Sequence, residues 1–185
     1  MIMITDLQQR LEKFVQPSYG KTARSPETYQ SLADYCDQKI QDLVLAYSRA
    51  PDAQLRREIR NDIDYTIRRY HAYFFNHQKN AHYHEVDAES EYDFEHLIPA
   101  SRVRDLVLAG TITAGQAFNA PTVLLSRVRH QQLKKVGLGD KTPSMWLPFQ
   151  RYSQAFPEVQ FQTQDGHLID PDTWTLADHY KKFLA

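Results

Sequence analysis

The chain has 185 residues, of which 42% are hydrophobic and 24% charged, and its formal net charge is −1. This balance allows the packed core of about one domain and excludes a wholly disordered chain, while apolar runs of only a few residues exclude a bilayer span. A single cysteine, Cys36, excludes a disulfide framework and a thiolate zinc site. The N-terminus lacks the pattern of a signal peptide, so we expect a cytoplasmic, intracellular protein with no membrane partner.

The charge is unevenly distributed along the chain. Residues 85–95 carry six acidic side chains and no Lys or Arg, whereas residues 96–152 carry eight basic and two acidic side chains. An acidic segment beside a basic block suits a protein that binds a cation and a polyanion together. Ordinary variation in surface charge explains the same pattern.

The first part of the chain, residues 1–84, is predicted to be a helical N-terminal region. A capping box at Thr5 begins one helix, and Ser25 followed by proline begins a second helix that runs to about Tyr47. Asp52 can cap a third helix with a buried stripe that ends near Phe74.

The pattern changes after His84. Acidic residues occupy every odd position of residues 85–95 and would share one face of an extended strand. Residues 92–98 indicate a strand ended by Pro99, and residues 122–125 a return strand, with two short helices between them.

Another helix is predicted from Ser126 or Arg127 to Val136, followed by stop signals at Gly137 and Gly139. A small hairpin and a terminal helix form the C-terminal extension, residues 153–185, packed on the core. The predicted class is α+β, with residues 85–152 as the central unit.

Three residues of this unit suit phosphodiester hydrolysis. Glu95 and His96 stand together at a predicted strand end, and His130 lies in the helix after the return strand. The reaction needs a base that takes a proton from water and a divalent cation that neutralises charge on the phosphate. Adjacent strand residues point to opposite faces, so Glu95 and His96 could serve these two roles without competing.

The segment Glu-His-Leu-Ile-Pro-Ala at residues 95–100 resembles the acid-His pair of the HNH, or His-Me finger, nucleases, in which proline often follows shortly after. That resemblance covers roughly residues 91–137 and implies a ββα-metal fold of strand, connection, strand and helix. It implies that His96 is the general base, that Asn119 is the middle Asn that helps to orient it, and that Glu95 and His130 bind the metal. Asn119 could equally be a simple helix C-cap.

The resemblance implies one Mg²⁺, or Mn²⁺, per active site and DNA as substrate, most naturally double-stranded. An intracellular nuclease endangers its own genome, which favours a site-specific enzyme of the restriction-like or homing kind. The N-terminal region could add recognition or a homodimer surface. The alternative is a noncatalytic nucleic-acid-binding or structural module that retains the ββα scaffold.

Five basic residues of the central unit are predicted to contact nucleic acid: Arg102, Arg104, Arg127, Arg129 and Lys134. Arg127 and Arg129 flank His130 and could grip a phosphate, although a structural ion-pair role is as good an interpretation. Asp93 shares the strand face of Glu95 and could support the site or lie in solvent. The remaining histidines are expected to be surface or hydrogen-bonded residues: His71, His77, His82, His84, His167 and His179.

Overall fold

The computed structural model describes residues 30–75, 79–86 and 91–184. The elements in chain order are α1 (Gln30–Arg49), α2 (Ala53–Phe74), β1 (Tyr83–Glu85), β2 (Tyr92–His96), α3 (Ala100–Leu108), α4 (Ala114–Phe118), β3 (Thr122–Ser126), α5 (Arg127–Lys135), α6 (Gln150–Ala155), β4 (Phe161–Thr163), β5 (Leu168–Ile169) and α7 (Leu176–Leu184). The protein is therefore a mixed α+β protein, as predicted. Within these ranges, no helix is both long and apolar enough to cross a membrane. The predicted helix starts at Thr5 and Ser25, and His77, lie outside the described residues.

Two long helices begin the described part of the chain. The side chain of Asp52 accepts a hydrogen bond of 2.8 Å from the backbone N–H of Leu55, which confirms the predicted N-cap of α2. The helix buries a stripe of residues spaced three and four apart against α1, α3 and α4: Ile59, Ile63, Ile67, Tyr70 and Phe74. These helices enclose the first of two apolar cores.

The five strands form one sheet in the order β2-β3-β1-β4-β5. β1 runs parallel to β3, and the other neighbouring pairs are antiparallel. Glu85 ends β1, whereas Asp93 and Glu95 belong to β2, so these acidic residues do not share one strand. β3 lies between these two strands, since β1 pairs with β3 and β4 and β2 pairs with β3 at the sheet edge.

The two faces of the sheet differ in their cover. On one face, Tyr83, Val123, Leu125 and Phe161 are buried in a second core, against residues of α5, α6 and α7. On the other face, the central positions are half-buried, whereas His96 and Thr122 at the end of the sheet are buried. The strand ends therefore lie against the helical core.

The connection from β2 to β3 consists of α3 and α4. Gly110, in the left-handed conformation with φ 68°, follows α3, and Thr113 caps α4 through a reciprocal capping box with Gln116. β3 pairs with β2 in the register Glu95 with Val123 and continues directly into α5. The order strand, helical connection, strand and helix is therefore present as predicted.

Candidate active site

The side chains of Glu95 and His130 meet although 34 residues separate them in the chain. α5 begins where β3 ends, and β3 is paired with β2, so the first turn of the helix returns His130 to β2. The Nε2 atom of His130 lies 3.3 Å from Oε2 of Glu95, and its Nδ1 atom lies 2.8 Å from Oδ2 of Asp93. All three side chains are partly exposed. Asp93 therefore contacts Glu95 through the shared histidine, and its side chain also stays partly exposed to solvent.

The proton positions in this cluster follow from the chemistry of its partners. The hydrogen bond from His130 is the main cause that holds the pKa of Asp93 below its ordinary value. An ionised carboxylate only accepts hydrogen bonds, so Nδ1 of His130 carries the proton. A neutral His130 then turns the lone pair of Nε2 towards an oxygen of Glu95. Two acceptors at 3.3 Å are compatible with a cation between them, either a proton or a metal ion.

The second carboxylate oxygen of Glu95 is held by a buried arginine. Nη2 of Arg151 lies 2.8 Å from Oε1 of Glu95 and also donates to the backbone carbonyl of His96. Nη1 of Arg151 donates to the carbonyls of Leu138 and Gly139 at 3.1 and 2.9 Å. Arg151 thus fixes the end of β2 and leaves Oε2 of Glu95 facing His130.

In the sequence, Arg151 is one of the eight basic residues of the block at residues 96–152. The apolar residues near Arg151 in the sequence indicate that it is buried, since Phe149, Tyr152 and Phe156 are all core residues. A basic residue among such neighbours needs several acceptors inside the protein.

His96 is the last residue of β2 and lies on the strand face opposite to Glu95, with 5% of its surface exposed. Burial, together with the positive charges of nearby basic side chains, lowers the pKa of His96 well below 6.5. The imidazole is therefore neutral at pH 7. Its Nε2 atom lies 2.8 Å from Nδ1 of His71.

His71 on α2 was not predicted to take part in the site. It is fully buried, and its Nε2 atom lies 2.8 Å from the carbonyl oxygen of Phe118. Burial lowers its pKa to about 4, so the ring is neutral at pH 7. The sequence does indicate that His71 is buried, because it stands four residues after Ile67 and eight after Ile63, on the apolar stripe of its helix.

Asn119 occupies the C-cap position of α4, which was the alternative interpretation of this residue. Its side-chain Nδ2 donates a hydrogen bond of 2.8 Å to the carbonyl of Gly115, and its own carbonyl accepts one of 2.6 Å from His179. The hydrogen bond that orients His96 is the one between its Nε2 atom and Nδ1 of His71. A catalytic role for Asn119 stays a prediction.

The predicted nucleic-acid contacts differ in their surroundings. Arg102 and Lys134 are exposed. The other three form ion pairs: Arg104 with Asp64 and Asp105, Arg127 with Glu91 and Asp93, and Arg129 with Glu85 and Glu158. When no nucleic acid is bound, Arg127 and Arg129 therefore form ion pairs within the protein, which agrees with the structural interpretation of these two residues.

Three other histidines make hydrogen bonds, as expected for residues outside the site. Nδ1 of buried His82 lies 2.9 Å from Oγ1 of Thr122, and Nε2 of His84 lies 2.8 Å from the side chain of Gln162. Nδ1 of His179 lies 2.8 Å from the hydroxyl of Tyr83. Among the described residues, no group of three or more His, Cys, Asp or Glu side chains forms a metal-binding arrangement.

Comparisons of the chain with protein-family models, with curated proteins and with solved structures gave no match.

Proposed function

We propose that this protein is a metal-dependent, site-specific endonuclease of the HNH type that hydrolyses phosphodiester bonds in double-stranded DNA, with β2, β3 and α5 as its ββα core. The observation that carries the proposal is the pair of facing acceptors, Glu95 Oε2 and His130 Nε2, beside His96 at one strand end. An acid and an imidazole close enough to share a cation, next to the neutral imidazole of His96, provide the parts that phosphodiester hydrolysis requires.

The donor set fits Mg²⁺ or Mn²⁺. A carboxylate oxygen and one imidazole nitrogen leave most positions to water and phosphate oxygens, which is how hard divalent cations are commonly bound in nucleic-acid enzymes. Glu95 and His130 would hold one such ion, and Asp93 would orient His130 as carboxylates often do for metal-bound histidines. When bound, the ion supplies positive charge next to the scissile phosphate.

His96 acts as the general base. Its buried, neutral imidazole removes a proton from the attacking water, and the hydrogen bond to His71 holds the ring in place. Glu95 and His96 lie on opposite faces of β2. The scissile phosphate must therefore lie across the end of the strand, where it can approach both side chains. Arg151 secures this strand end from inside the protein.

The function is tested by nicking of supercoiled plasmid in Mg²⁺, in Mn²⁺ and in EDTA, with mapping of the fragment ends. We expect cleavage that depends on the divalent cation and leaves a 5′-phosphate. Glu95→Gln and His130→Ala should each weaken Mn²⁺ binding measured by calorimetry, and high metal concentration should restore part of their activity. Glu58→Gln, a change at an exposed carboxylate of α2, serves as the control. Unchanged metal affinity in both site variants would contradict the assignment.

A noncatalytic nucleic-acid-binding or structural module is the second candidate. Two observations favour it: His96 is enclosed by the protein to 95% of its surface, and carboxylates already pair with Arg127 and Arg129. Such a module would bind DNA in the absence of cleavage, or would bind neither metal nor DNA. Plasmid that stays supercoiled in Mg²⁺ and Mn²⁺ while gel shifts report binding would support this candidate.

A further inference from the structure

The imidazoles of His71 and His96 form a chain of hydrogen bonds that begins at a backbone carbonyl. The carbonyl oxygen of Phe118 lies 2.8 Å from Nε2 of His71, and Nδ1 of His71 lies 2.8 Å from Nε2 of His96. The ring centroids are 4.9 Å apart, and the ring planes are inclined by 43°. Both residues are buried, His71 completely and His96 to 95% of its surface.

The proton positions along this chain are fixed by the first link. A carbonyl oxygen only accepts hydrogen bonds, so Nε2 of His71 donates. A neutral imidazole has one N–H, so Nδ1 of His71 carries a lone pair and accepts. Nε2 of His96 must therefore be the donor in the second link, and Nδ1 of a neutral His96 carries the lone pair.

We propose that His71 is a positioning residue that holds His96 in the Nε2–H tautomer and makes Nδ1 of His96 the basic nitrogen of the site. The basic role of Nδ1 rests on the proposed function, whereas the tautomer rests on the hydrogen bonds between two neutral rings and the Phe118 carbonyl. His71 acts through His96 and has no predicted contact with substrate. Because tautomers of free neutral imidazole interconvert readily, a base with one fixed nitrogen needs such a partner.

The arrangement identifies a matched pair of substitutions at position 71. In glutamine, the amide oxygen and the amide nitrogen are bonded to one carbon, as the two nitrogens of imidazole are bonded to Cε1. His71→Gln can therefore retain both hydrogen bonds, one to the Phe118 carbonyl and one to His96. His71→Leu retains apolar bulk and removes both. His179→Gln is the control, because His179 is also buried and donates from Nε2 to a backbone carbonyl, that of Asn119, but has no hydrogen bond to His96.

The test combines two measurements on the full chain. Long-range ¹H–¹⁵N spectra of the histidine rings report the tautomer of His96, assigned by its loss in His96→Ala, and plasmid nicking in Mg²⁺ separates kcat from KM. We expect the Nε2–H tautomer in the wild type, in His71→Gln and in His179→Gln, and a mixture of tautomers in His71→Leu. Removal of an outer partner of a site residue typically costs tenfold to a hundredfold, so kcat of His71→Leu should fall by about that factor at unchanged KM.

The outcomes separate this inference from the proposed function. A wild-type protein that does not cleave DNA yet shows the Nε2–H tautomer of His96 would overturn the function and retain the positioning role. Cleavage by His71→Leu at the wild-type rate with an unchanged tautomer would overturn the inference and retain the function. If His71→Leu does not fold, the wild-type spectrum still decides, because an Nδ1–H tautomer of His96 contradicts the inference directly.

Discussion

The residues of the candidate site act in pairs in which one partner fixes the protons of the other. Asp93 fixes the proton of His130 on Nδ1, and His71 fixes that of His96 on Nε2. Each pair leaves one imidazole nitrogen without its proton when the ring is neutral. One of these nitrogens faces a carboxylate oxygen, and the other belongs to the proposed base. The two histidines thus suit different roles although they have the same side chain.

His96→Ala should remove most of the cleavage activity and leave DNA affinity nearly unchanged, because it removes the base and keeps the residues proposed to bind metal. General-base catalysis typically contributes a factor of about 10² to 10⁴, which is the expected loss in kcat. Single-turnover cleavage and fluorescence anisotropy measure the two quantities. His84→Ala, a change at a half-buried histidine of β1, should cleave at the wild-type rate. A wild-type rate for His96→Ala would remove His96 from the mechanism.

Asp93→Asn should weaken metal binding about tenfold to a hundredfold, because the amide no longer holds a negative charge against Nδ1 of His130. Calorimetric titration with Mn²⁺ measures this change. Glu91→Gln is the matched control, since Glu91 is an exposed acid two residues away that pairs with Arg127. Equal metal affinity of the two variants would show that Asp93 does not orient the histidine.

Among the elements, β2 and α5 depend on contacts that cross from one to the other. The side chain of Arg127 at the start of α5 lies 3.6 Å from Asp93 of β2, and its backbone N–H donates to the carbonyl of Glu91. Arg151 of α6 binds the last residues of β2 from within the core. The position of Glu95 relative to His130 is therefore determined by charged contacts between elements as well as by the sheet.

Arg151→Met should destabilise the folded protein by about 3 to 5 kcal/mol, because it leaves the partly buried carboxylate of Glu95 and three backbone carbonyl groups without the guanidinium that binds them. Urea unfolding measures the change. Arg102→Met, at an exposed position of α3, should alter the free energy of unfolding by at most about 0.5 kcal/mol. A similar small loss in both variants would show that the contacts of Arg151 contribute little to stability.

DNA binding should fall steeply with salt if α5 contacts the phosphates. Each phosphate contact contributes about 0.9 to the slope of log K against log salt, so Arg127→Ala with Arg129→Ala should make the slope shallower by up to about 1.8. The two arginines would then exchange their carboxylate partners for phosphate. Arg57→Ala, an exposed residue of α2, is the control. An unchanged slope in the double variant would leave both residues with structural ion pairs.

The molecule as a whole buries several neutral imidazoles in its interior. Burial is the main cause that lowers the pKa of His71 to about 4, that of His179 to about 3, and that of His82 well below 6.5. In the unfolded chain these groups return to their ordinary pKa near 6.5. A histidine with a lowered pKa in the folded state stabilises the protein above pH 6.5. This contribution is lost as the pH falls from 6.5 towards the folded value, because the unfolded chain takes up the proton first.

We therefore expect the free energy of unfolding to decrease below pH 6.5 by about 1.4 kcal/mol per pH unit for each of these three histidines. Urea unfolding at pH 7.5, 6.0 and 5.0 measures the dependence. His179→Gln should reduce proton uptake on unfolding by about one. Equal stability from pH 7.5 to 5.0 would contradict this expectation.

Local interactions made part of this protein predictable from the sequence. The cap at Asp52 was predicted because such a side chain accepts a hydrogen bond from a backbone N–H three residues away. The order of elements from Glu95 to His130 follows from stop signals and short apolar runs. The motif Glu-His-Leu-Ile-Pro also predicted that the candidate site lies at the end of β2. The resemblance to the HNH nucleases implied that Glu95 and His130 lie close together, and their side chains are 3.3 Å apart.

The tertiary structure decided which partners the side chains have. Sequence periodicity tells which face of an element is apolar, but it contains no information about which elements become neighbours. For that reason β1 was missed between β3 and β4, and His71 and Arg151 were not connected with the site. The burial of a polar residue forces it to find a hydrogen-bond partner, but the identity of that partner is set by chain segments that are distant in sequence.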